Sequence, residues 1–237
     1  MIQIIKKAIP NTVTLGNLAC GLLGIILLFK GDMKSACYLI WLAALLDFLD
    51  GFLARLLNAY SEIGKQLDSL ADLVTFGVLP SLIYYQLLID QLPSPLAYAA
   101  FITALFSALR LAKFNIDEEQ TVDFKGLTTT ANGIFTSSIP LILAGTSFLQ
   151  PIFADAWILL IICLFFSSLM VTPITLFSLK FSNFQLRGNE RRFLLIVVSI
   201  ALIAIFREVA IPLVIGFYLL LSFVGIFGSK SNKKVSP

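Results

Sequence analysis

The sequence predicts an all-α fold, a polytopic membrane bundle of about eight transmembrane helices with a short N-terminal juxtamembrane segment. Three observations predict it. First, 58% of the 237 residues are hydrophobic and 13% charged, with a mean hydropathy of +0.93, more apolar surface than a soluble domain of this size can cover. Second, apolar runs near the bilayer-crossing length of about 20 residues fall at 12–29, 35–57, 66–89, 95–114, 130–149, 155–179, 193–206 and 209–228. Third, 14 of the 17 Lys and Arg residues fall on alternate loops and the termini, leaving Lys30, Lys34 and Arg207 for the other side. The positive-inside bias makes the rich side cytoplasmic, with both termini there.

Each element follows from its local sequence. "MIQIIKKAIP" has no apolar run ending in a small-residue cleavage site, so the first span is expected to stay. "NAYS" separates the second and third spans: Asn58 can end one helix, and Ser61 can cap the next with Glu62 in its first turn. Spans seven and eight, tightly joined at "FREVAIP", form either two crossings or a re-entrant pair. Pro173 and Pro212 are expected to kink the later helices. The basic loop Arg187–Arg192 reads as a cytoplasmic anchor that can also attract anionic lipid. No repeat, linker or soluble region divides the chain, so 1–237 is expected to be one domain.

Composition also excludes chemistries. The absence of histidine removes the commonest general base and transition-metal ligand. Cys20, Cys37 and Cys163 fall singly in apolar segments, as buried small hydrophobes do. The net charge of +3 comes with no basic stripe interleaved with aromatics, so nucleic acid is not expected as a partner. Membrane lipid is.

The informative stretch is "DFLDGFLARLLNAYSEIGKQLDSLAD", Asp47 to Asp72. In an antiparallel hairpin centred near residue 59 or 60, Asp47 lies at the depth of Asp72 and Asp50 at that of Asp68. The i,i+3 and i,i+4 spacings put each pair of acids on one helix face. Four ionised carboxylates meeting in a low-dielectric region repel unless some are protonated or cations lie between them. Oxygen ligands without His or Cys favour Mg²⁺ or Mn²⁺, and a pair of such ions suits phosphoryl transfer. Gly51, Ala54 and Gly64, each one turn from an aspartate, leave room for a nucleotide or a close helix contact.

With Arg55, these residues spell D-x2-D-G-x2-A-R-x8-G-x3-D-x3-D, and the stretch resembles the signature of the CDP-alcohol phosphotransferase family at all eight positions. The resemblance implies an integral membrane enzyme releasing CMP from a CDP-linked substrate. It implies that Asp47, Asp50, Asp68 and Asp72 bind metal, that Asp72 serves as base, and that Gly51, Ala54, Arg55 and Gly64 line the nucleotide. Homodimers are the family's expected assembly.

Three further stretches resemble the integral membrane phosphatidylserine synthase branch, implying CDP-diacylglycerol and L-serine as substrates in a bacterial or archaeal cell membrane. "PNTVTLGNLACG" carries Pro10, Asn11, Thr14, Asn17 and Gly21; Thr14 and Asn17 can bond either the cytidine or a neighbouring helix. "RLAKFN" offers Arg110 to phosphate and Lys113 and Asn115 to serine or phosphate, or else marks a basic membrane edge. "FKGLTTTA" keeps Phe124, Gly126, Leu127 and Ala131, but Thr128 and Thr130 replace the branch's two prolines, so the loop's geometry is open. A sibling transferase using glycerol phosphate, inositol or its phosphate, or choline differs only in acceptor. A cation transporter would place its acids at the midplane of paired repeats instead.

Overall fold

The computed structural model describes residues 2–116, 124–176, 185 and 189–232. A helix lies on each of the eight expected spans: α1 (Ile2–Phe29), α2 (Met33–Leu56), α3 (Glu62–Leu88), α4 (Ser94–Ile116), α5 (Thr129–Leu143), then the short α6 (Gln150–Ala154), α7 (Ala156–Val171), α8 (Glu190–Phe206) and α9 (Ala210–Asn232). Among the described residues four of them, Lys6–Phe29 within α1, α2, α3 and α4, are long and apolar enough to cross a membrane. At about 1.5 Å per residue, α5 and α7 reach only about 22–24 Å, short of the roughly 30 Å of a bilayer core. A helical membrane bundle fits. The N-terminal juxtamembrane segment is continuous with the first span, since α1 runs unbroken from Ile2 through Pro10.

The turn between α2 and α3 forms from the residues that predict it. Asn58 takes a left-handed backbone, φ 47°, which asparagine tolerates better than most residues. Its N–H donates to the Arg55 carbonyl and that of Ala59 to the Ala54 carbonyl, the paired bonds of a Schellman stop. Ser61 then accepts the Gly64 N–H at 3.0 Å, capping α3 with Glu62 in its first turn.

Two prolines act otherwise than expected. Pro173 follows the end of α7 and does not kink it: Thr172 is already extended, as a residue before proline prefers, and Thr175–Leu176 pairs antiparallel with Phe124–Lys125 in a two-residue ladder. Pro212 lies in the first turn of α9, where its missing N–H costs no helical bond. Lys180, Arg187, Lys233 and Lys234, which carry part of the charge asymmetry, lie outside the described residues.

The centre of the molecule is α3. More than half of its apolar window is buried, against a third or less in α1, α2 and α4. Phe76, Leu79 and Ile83 of α3 pack with Leu28 of α1 and Cys37, Ile40 and Ala43 of α2. Further along, Tyr84 and Leu88 join Phe135, Ile139, Leu159 and Met170 of α5 and α7. All three cysteines are buried and free, as small hydrophobes. Leu45, Phe48, Ile161, Val197 and Ile200 are exposed, a distribution suited to lipid contact. One feature of the packing governs the site: α1 lies extensively against both α2 and α3, whereas α2 and α3 scarcely approach each other. The acidic hairpin is splayed, with α1 along its opening.

Candidate active site

Within the splayed hairpin, Asp47, Asp50 and Asp68 each offer a carboxylate oxygen, and these oxygens lie within 4.8 Å of one another. Asp50 is buried, Asp47 and Asp68 half-buried, and Asp68 Oδ1 is sequestered without a partner. Asp72, one turn deeper, is buried and within electrostatic reach of the other three. The sequence expects two facing pairs; the structure gathers carboxylate oxygens of Asp47, Asp50 and Asp68 and keeps Asp47 within electrostatic reach of Asp72. Such crowding is costly without a compensating cation. An all-oxygen donor set at this spacing, with one buried oxygen unpartnered, fits a hard divalent ion.

The N-terminal motif supplies the side chains that hold these carboxylates. Pro10, Thr14, Asn17 and Gly21 recur at i, i+4, i+7 and i+11 and so share the face of α1 turned toward the acids. Thr14 donates to Asp50 Oδ2 at 2.6 Å, and Asn17 Nδ2 donates to Asp72 Oδ1 at 3.0 Å. Thr14 and Asn17 thus both bond neighbouring helices, and Thr14 also faces the adjoining cavity. Gly21 lets α1 close on α3, since a Cβ there would collide with Thr75, whose hydroxyl donates to the Asn17 carbonyl at 3.1 Å. Thr75 belongs to a π-helical stretch, Leu73–Val78, that starts directly after Asp72. Such bulges are frequent at functional sites.

The loop with the missing prolines meets the acids from the far side. Gly126 has φ 74°, and a Cβ there would lie 2.6 Å from the Met170 carbonyl oxygen, so only glycine fits. Thr128 caps α5 by accepting the Ala131 N–H at 3.2 Å, and Thr130 donates to Asp47 Oδ2 at 3.3 Å. The substituted hydroxyls thus start a helix and orient a carboxylate. Thr130→Val should weaken Mn²⁺ binding about 10-fold, the lower range for losing a group that orients a metal ligand, with Thr130→Ser near wild type; electron paramagnetic resonance titration reads it.

Beside the carboxylates lies a cavity of about 580 Å³ at the α2–α3 turn, whose lining includes Thr14, Asp50, Gly51, Ala54, Gly64 and Asp68. A side chain at Gly51 would meet nothing within 4 Å, so this glycine leaves open space. At Gly64 a Cβ would press Ser61 Oγ at 2.9 Å and Asn11 Oδ1 at 3.0 Å, so that glycine allows a close helix contact.

The remaining expected residues separate. Arg55 is exposed in the last turn of α2 and is not among the cavity's lining residues. Lys113 is exposed. Asn115 clasps α4 to α3: its carbonyl accepts Lys65 Nζ at 2.8 Å, its Oδ1 accepts Ser69 Oγ at 3.2 Å, and its Nδ2 donates to Gln66 Oε1 at 3.0 Å. Arg110 is buried within electrostatic reach of Asp72. Sequence reasoning passed over Asn17's hold on Asp72, Thr130's on Asp47, and the fully buried Thr129 and Asn132 of α5. Their signal was present, since a carboxamide within an apolar span calls for a functional explanation.

Comparison with known proteins gives independent findings. A family model described as CDP-alcohol phosphatidyltransferase matches residues 7–169. A Bacillus subtilis (strain 168) protein named CDP-diacylglycerol–serine O-phosphatidyltransferase is 44% identical over 119 residues, covering 50% of this chain and 67% of that protein. A Helicobacter pylori (strain 26695) protein of the same name is 29% identical over 214 residues, 89% of this chain and 87% of its own. An archaetidylserine synthase of Methanothermobacter thermautotrophicus is 33% identical over 133 residues, 55% of this chain and 57% of its own.

Proposed function

The chain belongs to the CDP-alcohol phosphatidyltransferase family, and from that premise we propose that it transfers the phosphatidyl group of CDP-diacylglycerol to L-serine, giving phosphatidylserine and CMP. The observation that carries the reaction class is the convergence of Asp47, Asp50 and Asp68 beside the cavity at the α2–α3 turn. The acceptor rests on the shared serine-transferring names of bacterial relatives. A bond forms between the serine hydroxyl oxygen and the lipid-bearing phosphorus, the bond from that phosphorus to the CMP oxygen breaks, and the hydroxyl proton passes to a base.

In this reading Asp47, Asp50 and Asp68 would hold Mg²⁺ or Mn²⁺, as a pair of ions if Asp72 contributes. The chemistry supplied there would be neutralisation of charge on the phosphates and on departing CMP. Thr14, Asn17 and Thr130 fix the carboxylates from α1 and α5, which shortens the rearrangement needed on binding. Asp72, steadied by Asn17, accepts the serine proton. Gly51 and Ala54 give the cytidine and its phosphates room, Gly64 closes that wall against α1, and Arg55 stands at the rim. Arg110 supplies buried positive charge next to Asp72.

The protein is assigned to a bacterial or archaeal cell membrane, with both termini and the aspartates cytoplasmic, and a homodimer is the expected assembly. The charge asymmetry supports the orientation, and native mass spectrometry reads the assembly. Detergent-purified protein given CDP-diacylglycerol, L-serine and Mg²⁺ or Mn²⁺ should release CMP and phosphatidylserine in equal amounts. Reaction with glycerol phosphate and not with serine would overturn the acceptor.

A further inference from the structure

Buried polar atoms without partners are rare in folded proteins, and each calls for an explanation. Among the described residues they gather in one stratum: Asn17 Oδ1, Asp68 Oδ1, Arg110 Nε, Thr129 Oγ1 and both terminal atoms of Asn132, with only Tyr84 Oη and Ser147 Oγ elsewhere. The carboxylate site accounts for the first two. The other three residues lie beyond Asp72, on helices flanking the π-helical stretch of α3.

Their placement follows from two close contacts. A Cβ at Gly133 of α5 would lie 3.0 Å from the Phe76 ring, and one at Gly77 would lie 2.9 Å from Ser107 Cβ of α4. Phe76 and Gly77 are adjacent, so α4 and α5 meet α3 at one level. Arg110 stands one turn from Ser107, and Thr129 one turn from Gly133, both toward Asp72, while Asn132 borders Gly133 on the same face as Thr129. Thr130 completes the register by reaching Asp47. Arg110 is 9% exposed, Thr129 1% and Asn132 0%, so water does not reach them as it reaches a surface group. The Nε of a buried guanidinium, a hydroxyl and a carboxamide thus stand unsatisfied behind the proposed base.

Resting on the serine reading above, we propose that Arg110, Thr129 and Asn132 form the acceptor's amino-acid subsite. Arg110 takes the carboxylate, as a guanidinium pairs well with a planar anion. Asn132 Oδ1 and Thr129 Oγ1 accept hydrogen bonds from the ammonium group, leaving the serine hydroxyl toward Asp72. Lys113 and Asn115, at the exposed end of α4, stand outside this subsite.

The test is a split between the two substrates. A site built to hydrogen-bond its ligand discriminates strongly once a partner is lost. Asn132→Leu, close in shape, and Thr129→Val should each raise the KM for L-serine at least about 10-fold, while the KM for CDP-diacylglycerol stays within about twofold. Thr129→Ser should restore the serine KM. Serine KM values unchanged in both variants, or a rise shared equally by both substrates, would overturn the subsite. Should Asn132→Leu fail to fold, the Thr129 pair decides alone. Wild-type protein that makes no phosphatidylserine from L-serine would instead sink the acceptor assignment, a separate outcome.

Discussion

Asp68→Asn should reduce CMP release by about 10²–10³-fold, the scale of removing a principal electrostatic stabiliser from a reacting centre, and should weaken Mn²⁺ binding in parallel. Asp68 is one of three carboxylates whose oxygens lie within 4.8 Å of each other, and its Oδ1 is buried without a partner. Asparagine keeps the shape and one acceptor but removes the charge. The same substitution carries a second, opposite signature. In chelator the wild-type cluster is self-repelling, so deleting one carboxylate should raise the melting temperature; in excess Mn²⁺ the order should reverse, because only wild type gains full binding free energy. Thermal melts with and without metal read the crossing. Asp68→Asn at normal yield with wild-type turnover would show that the cluster is not the reacting centre.

How much of this was legible in the sequence depends on what each inference needed. The turn was legible because its chemistry is local: Asn58 tolerates the left-handed conformation, and Ser61 caps within three residues. The convergence of the aspartates was also legible, since helical spacing fixes faces and hairpin symmetry fixes depth. What depth cannot fix is the lateral arrangement. The hairpin argument takes α2 and α3 as neighbours, but α1 lies against both and they splay, so the side chains that hold Asp50 and Asp72, Thr14 and Asn17, come from a third helix. Nothing in Leu73–Val78 announces a π-helical stretch. Its neighbours are set by contacts distant in sequence: Gly21 meets Thr75, Gly77 meets Ser107, and Gly133 meets Phe76. The same limit applies to "RLAKFN". Its residue types suit phosphate, yet only the packing of α4 separates the buried Arg110 from the exposed Lys113 and the clasped Asn115.

Asp72→Asn should separate proton transfer from metal binding. Its carboxylate accepts Asn17 Nδ2 at 3.0 Å and stands apart from the set of three oxygens gathered by Asp47, Asp50 and Asp68. If Asp72 is the base, the amide leaves Mn²⁺ affinity within about threefold while kcat falls by about 10²–10⁴, the usual contribution of a positioned general base. Asn17→Leu should give a milder version, with kcat down about 10-fold, because Asp72 keeps its charge but loses the group that aims it. Both substrates' KM values should stay near wild type in the Asn17 variant, since Asn17 is not among the residues lining the cavity. Asp72→Asn losing Mn²⁺ as completely as Asp68→Asn would make Asp72 a ligand first. The proton would then have to leave by another route, and a solvent isotope effect in Asp72→Asn equal to wild type would point the same way. The two aspartates, one turn apart on α3, are thus distinguished by one measurement each: Mn²⁺ affinity for Asp68, and turnover at saturating Mn²⁺ for Asp72.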